Sequence, residues 1–296
     1  MSKTSDFIRD TFGSGDTERD RGLTSPPDVI RYDNILYGPD PKWNVLDVYR
    51  PKNRKDSTLP VLVSVHGGAW VYGDKDRYQF YCMELSRRGF AVVNFSYRLA
   101  PEAGFPAALE DTNRAFEWML NNAGKFGFDT ENVFATGDSA GGNYLALYAA
   151  IATNPDYASR FRFSVPEGLR IRAVNLNCGV YLLTDPKEVD PLTQKLMQDV
   201  FGHEPMKEEY EIISPALHVT EKYPPVFLNT AVGDFLRNQA PHMAKSLAEQ
   251  GVPFTYKCYG DSLHDLHHVF MLTIQKEESG PAIDEQCAFY RQFMTS

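Results

Sequence analysis

From Val61 onward the chain alternates two patterns: short, nearly unbroken apolar runs, and longer stretches whose apolar positions recur every three or four residues. The runs Val61 to Val65, Ala91 to Phe95, Asn132 to Thr136, Ala173 to Asn177, Val226 to Asn229 and Thr255 to Tyr259 predict strands. Because they are continuous rather than alternating, they predict strands buried on both faces. Helical periodicity predicts helices over Tyr78 to Arg88, Phe105 to Asn121, Gly141 to Ala152, Asn238 to Gln250 and Ile283 to Phe293. Strand and helix in alternation give an α/β fold, a mostly parallel central sheet flanked by helices. Ahead of it, Asp33 to Tyr37 and Asn44 to Tyr49 alternate like paired edge strands, with Gly38-Pro39-Asp40-Pro41 supplying the turn.

Two segments break the rhythm. Residues 1–27 mix charges with glycine and serine, and are expected to form an arm, either a flexible tail or a flap over the sheet. Residues 182–214 carry Pro186, Pro191 and Pro205 around short helical stretches, which predicts a cap inserted over the mouth of the sheet. Residues 28–296 form the main domain.

Composition narrows the partners. With 296 residues, 43 % of them hydrophobic, the chain can bury a large core. A net charge of −9 disfavours nucleic acid, whose binding draws on surplus Lys and Arg. No stretch approaches the roughly 20 apolar residues of a membrane span, and the first 22 residues lack a signal-peptide pattern, so a cytoplasmic protein is expected. Cys82, Cys178, Cys258 and Cys287 stand singly, which suits a reducing compartment and buried packing roles. The oligomeric state is left open, a homodimer among the alternatives.

Chemistry concentrates where strands end. The run Gly137-Asp138-Ser139-Ala140-Gly141-Gly142 links a predicted strand to a predicted helix, so Ser139 occupies a tight turn with glycine two residues before and after it. There a hydroxyl projects beside the helix N-terminus, whose unpaired amides favour developing negative charge. The strand ending at Val65 runs into His66-Gly67-Gly68-Ala69-Trp70, and amides of Gly67, Gly68 and Ala140 could surround an oxyanion. His66 is expected to be buried and to shape the loop. A serine needs a histidine base and an acid to orient it. Asp234 follows the strand Val226 to Asn229, and His264 follows the next strand; His267 and His268 could replace His264 if that loop is longer. A His264-His267-His268 metal cluster lacks a carboxylate pattern such as HExxH, so no metal is expected.

Together these segments resemble the hormone-sensitive-lipase-like esterases, a branch of the α/β-hydrolase superfamily, from about Leu59 to Phe270. The likeness extends to Tyr97-Arg98-Leu99-Ala100-Pro101-Glu102, to Phe105-Pro106-Ala107-Ala108 with Asp111, and to Asp234-Phe235-Leu236-Arg237. It implies a Ser139, Asp234 and His264 triad. The expected reaction is hydrolysis of carboxylic esters through an acyl-enzyme without a cofactor, with short-chain, acetyl-like acyl groups favoured by bulky aromatics around the site. Two departures stand out. Ala69 replaces a third glycine, a form that also looks like arylformamidases and sugar acetyl esterases. Asp265-Leu266 stands after His264 where Gly-Phe is usual. Trp70, Tyr72, Tyr181 and Phe201 are the expected pocket walls. An arylformamidase-like amide hydrolase, or a noncatalytic ligand-binding module on the same scaffold, are the rival readings.

Overall fold

The computed structural model describes residues 2–184, 189–261 and 263–295; Pro186 and Ser262 lie outside them. Eight strands form one sheet: β1 (Val29–Leu36), β2 (Val45–Pro51), β3 (Leu59–Val65), β4 (Ala91–Phe95), β5 (Phe128–Asp138), β6 (Ile171–Asn177), β7 (Val226–Ala231) and β8 (Phe254–Tyr259). Their order across the sheet is β1-β2-β4-β3-β5-β6-β7-β8. Only the β1–β2 and β2–β4 pairings are antiparallel.

The helices are α1 (Lys3–Arg19), α2 (Lys75–Arg87), α3 (Ala107–Asn121), the single turn α4 (Ala123–Phe126), α5 (Ser139–Thr153), the single turn α6 (Pro155–Ala158), α7 (Pro191–Phe201), α8 (Lys207–Ile212), α9 (Ala240–Glu249) and α10 (Ser279–Arg291). Alternate residues of the central strands feed opposite faces. Val61, Val63 and Val65 join Phe116 of α3, Leu145 and Tyr148 of α5 and Met243 and Leu247 of α9. Leu62, Val92 and Phe134 turn the other way, against Tyr81 and Met83 of α2 and Ile283, Cys287 and Tyr290 of α10. This two-sided burial is why the strands read as unbroken apolar runs.

Strand order sets the site. From β3 the chain steps outward to β4, then crosses back to β5 on the other side of β3, which makes the carboxyl ends of β3 and β5 a topological switch point. The segments His66-Gly67-Gly68 and Asp138-Ser139 begin there.

The arm differs from the flexible alternative. Its first turns form α1, capped by the Ser2 hydroxyl, which accepts from the Thr4 and Ser5 amides. Ile8 is buried, and Arg9 donates to the carbonyls of Val71 and Ala100 and to the Glu102 carboxylate. The segment expected to form a cap holds α7 and α8, and Ser5 Oγ donates to Asp199 Oδ2 on α7 at 2.5 Å. Of the cysteines, Cys258 corrects the expectation: it lies exposed on the edge strand β8, whereas the other three are buried.

Candidate active site

Ser139 sits at the sharp turn from β5 into α5, with φ 52°, in the left-handed region that L-residues avoid. The neighbouring glycines make the turn sterically accessible. A Cβ on Gly141 would lie 2.2 Å from the Val65 carbonyl oxygen, and one on Gly137 would lie 2.5 Å from that of Gly141. Glycine is therefore required at both positions for helix and strands to approach this closely.

Asp234 ends a short turn after β7 and is buried. Its Oδ2 accepts from Thr230 Oγ1 at 2.6 Å, and its Oδ1 accepts from the Leu236 amide at 2.9 Å. The same Oδ1 lies 2.7 Å from Nδ1 of His268. Burial pushes the Asp234 carboxyl up, but the hydrogen bond and charge of His268, with the Thr230 and Leu236 bonds, outweigh it and hold the group below the usual carboxylate range.

The imidazole that meets Asp234 is thus that of His268, not the expected His264. His264 lies on the surface, its side chain 66 % exposed, with Nδ1 3.1 Å from Asp261 Oδ1. Asp261 also accepts from the Leu263 and His264 amides, so this part of the loop closes on itself. The chain then runs beside the acid-bearing turn: the Gly233 amide donates to the Leu266 carbonyl at 2.9 Å, and Gly233 pairs in parallel with His267. That register delivers His268, one residue on, to Asp234. A readable trace existed. His268-Val269-Phe270 keeps a histidine two residues before phenylalanine, and Val269 adopts φ 49°, the conformation for which glycine is the usual residue.

On the β3 side, Gly68 has φ +125°, and a Cβ there would lie 2.0 Å from the Tyr72 carbonyl oxygen. Of the expected amide donors, Gly67 is committed elsewhere: its N–H donates to the Tyr78 hydroxyl at 2.8 Å. Among the described residues the amides of Gly68 and Ala69 donate to no protein acceptor. Ala140 occupies the first turn of α5, where a helix has no internal acceptor for its amides. His66 is fully buried, stacked on Tyr97 with ring centroids 4.0 Å apart, and burial lowers its imidazole to about 4, so it stays neutral as a loop-shaping group. Asp138 is buried too, and burial pushes its carboxyl up to about 7 against the opposing hydrogen bond from Tyr78.

These groups open on one cleft of about 240 Å³, lined by Ser139, His268, Gly67, Gly68, Tyr72, Tyr78, Asp138, Val269 and Leu272, and on the far side by Thr11, Phe12, Gly15, Asp16 and Arg19 of α1. Of the expected pocket aromatics only Tyr72 lines it, donating from its hydroxyl to Asp16 Oδ2 at 2.9 Å. Trp70 turns inward and donates from Nε1 to Asn143 Oδ1, Tyr181 is buried with its hydroxyl accepting from the Gly179 amide, and Phe201 packs on Phe105. Position along the chain placed these rings near strand ends, but backbone direction at Trp70, φ 64°, aims the indole into the core.

Cys178, Asp234 and His268 hold ligand atoms within 4.8 Å of one another and could in principle hold a soft cation. Burial pushes the Cys178 thiol well up, which opposes the thiolate that a metal requires. His264, His267 and His268 diverge: His267 faces Asp265 at 3.9 Å while the other two meet Asp261 and Asp234.

Comparison with known proteins bears on the family and the fold. The family model BD-FAE matches residues 46–241. Esterase LipC of Mycobacterium tuberculosis is 33 % identical over 202 residues, 64 % of this chain and 48 % of LipC. The versiconal hemiacetal acetate esterase of Dothistroma septosporum is 28 % identical over 230 residues, 73 % of this chain and 69 % of that protein. The chain spans about half the length of curated relatives such as LipC. Among solved structures, esterase B of Lactobacillus rhamnosis superposes with a TM-score of 0.88 at 25 % identity, covering 96 % of this chain and 92 % of that one. Among the described residues no helix is long and apolar enough to cross a membrane.

Proposed function

Given that the chain belongs to the BD-FAE family of α/β-hydrolases, we propose that it is a serine carboxylesterase in which Ser139, His268 and Asp234 form the catalytic triad. The observation that carries this reading is the buried carboxylate of Asp234 bonded to an imidazole that lines the same cleft as Ser139.

In the proposed reaction Ser139 Oγ attacks the ester carbonyl carbon while His268 Nε2 takes the hydroxyl proton. Asp234 accepts from Nδ1–H, which fixes the tautomer that leaves Nε2 free and stabilises the imidazolium as it forms. The tetrahedral oxyanion is received by the amides of Gly68, Ala69 and Ala140; removing one such donor typically costs about 3 kcal/mol of transition-state stabilisation. Collapse releases the alcohol, protonated by His268, and leaves an acyl group on Ser139. Water activated by the same histidine then frees the acid.

The cleft supports small substrates. At about 240 Å³, it lies below the roughly 300 Å³ at which pockets for drug-sized ligands begin, and Phe12, Tyr72, Tyr78 and Leu272 line its walls. Acetyl-like and other short acyl groups fit this reading, as does the acetate ester named for the fungal relative. The test is Ser139→Ala, assayed on p-nitrophenyl acetate, butyrate and decanoate. The parent is expected to favour the two shorter esters and the variant to lose turnover on all three; a variant as fast as the parent refutes the triad.

A further inference from the structure

Aspartate at a helix N-cap ordinarily turns its carboxylate onto the first amides of the helix. Asp138 stands at the N-cap of α5 and makes no such bond. Instead its buried Oδ2 accepts from the Tyr78 hydroxyl at 2.7 Å, the one hydrogen-bond donor the carboxylate meets among the described residues. The phenol has a single proton, and it goes to Asp138. Its oxygen is therefore free to accept, and it receives the Gly67 N–H at 2.8 Å. The three groups form one directed chain, from the loop after β3, through the first turn of α2, to the residue preceding the nucleophile.

We propose that Tyr78 is a positioning residue for ester hydrolysis, tying the Gly67 peptide to the Asp138-Ser139 turn so that the next two amides face the nucleophile. This inference rests on the reading of Ser139 as that nucleophile. The contact is close on both sides: a Cβ at Gly67 would lie 2.6 Å from Asp138 Oδ2, 2.9 Å from its carbonyl oxygen and 3.0 Å from the phenol oxygen. Orienting the Gly67 peptide by its N–H constrains ψ of His66 and φ of Gly67, and so the direction in which the Gly68 and Ala69 amides emerge. Without the phenol oxygen, the Gly67 N–H would compete for whatever acceptor lies nearest, including the one that the oxyanion supplies in the transition state. A preorganised donor set needs no such rearrangement during reaction.

The experiment is a double-mutant cycle on Tyr78→Phe and Asp138→Ala, with Ser139→Ala alongside. Rates on p-nitrophenyl butyrate are expressed per serine titrated by a phosphonate, and for Ser139→Ala per mole of protein folded by circular dichroism, so that protein lost to misfolding does not count. Tyr78→Phe is expected to lower kcat by 30-fold or more with KM within threefold, and to weaken binding of a trifluoromethyl ketone by the same factor as kcat/KM. The double variant is expected to be no worse than the poorer single one, because both break the same chain. A Tyr78→Phe kcat within threefold of the parent, unchanged ketone affinity, or additive losses would each overturn the proposal. If Ser139→Ala itself keeps turnover, the triad reading fails first, and the two failures are thereby told apart.

Discussion

Replacing His268 by alanine, with His264→Ala as its counterpart, separates the base from its neighbour in sequence. His268 is the imidazole that Asp234 orients, within a carboxylate shell that includes Thr230 and the Leu236 amide. On the proposed triad, removing it leaves Ser139 with no proton acceptor and Asp234 with a buried charge lacking its strongest partner. Loss of a triad base costs on the order of 10⁴ to 10⁶ in kcat, about 5 to 8 kcal/mol of transition-state stabilisation. His264 stands in solvent and, among the described residues, bonds only within its own turn, to Asp261. Its removal touches neither the cleft nor the acid, so kcat should change by less than twofold. Steady-state kinetics on p-nitrophenyl butyrate at pH 8, with folding checked by circular dichroism, decide the matter. A His264→Ala enzyme that is dead beside an active His268→Ala enzyme would refute the assignment and the loop register behind it.

Two further outcomes follow from the same geometry. Asp138, with its carboxyl raised to about 7 chiefly by burial, binds a proton in the folded state that the unfolded chain has lost above about pH 4, so it contributes stability that drains away as pH rises through 7. Asp138→Asn removes that titration while its amide oxygen can still accept from Tyr78. Relative to the parent it should therefore gain about 3 kcal/mol between pH 5 and 8, measured by urea unfolding at each pH; parallel curves would contradict the argument. Arg9→Ala frees α1 from Val71, Ala100 and Glu102, and is expected to raise KM at least fivefold with a smaller change in kcat, and to speed tryptic cleavage near Arg19. An unaltered KM would show that α1 does not wall the substrate.

Much of this was legible because backbone geometry leaves strong marks on sequence. Gly137 and Gly141 flank Ser139 because a side chain at either would strike a carbonyl, and the buried strands read as apolar runs because both faces are covered. Asp234 was legible as the first carboxylate past the end of β7. The histidine was not, because loops carry no period and Val269 stands where glycine would have flagged the turn. A β-branched residue in that conformation costs about 1 to 2 kcal/mol, which the surrounding contacts must offset. Helix α1 was hidden for a related reason: Gly13 and Gly15 lower its intrinsic propensity, and it is held by the Ser2 cap, buried Ile8 and the Arg9 anchor rather than by its own sequence. The amide of Gly67 was misassigned because a phenol eleven residues downstream claims it.

One wall of the cleft comes from the amino-terminal helix, which belongs to no strand crossover. Its inward residues can be redesigned without rebuilding the sheet. At Gly15 a side chain would enter open space, since a Cβ there meets nothing within 4 Å. On the proposed esterase reading, acyl-length preference is thereby decoupled from the chemistry: a graded series from alanine to leucine at that one position offers a dial for selectivity, turned from outside the proposed triad.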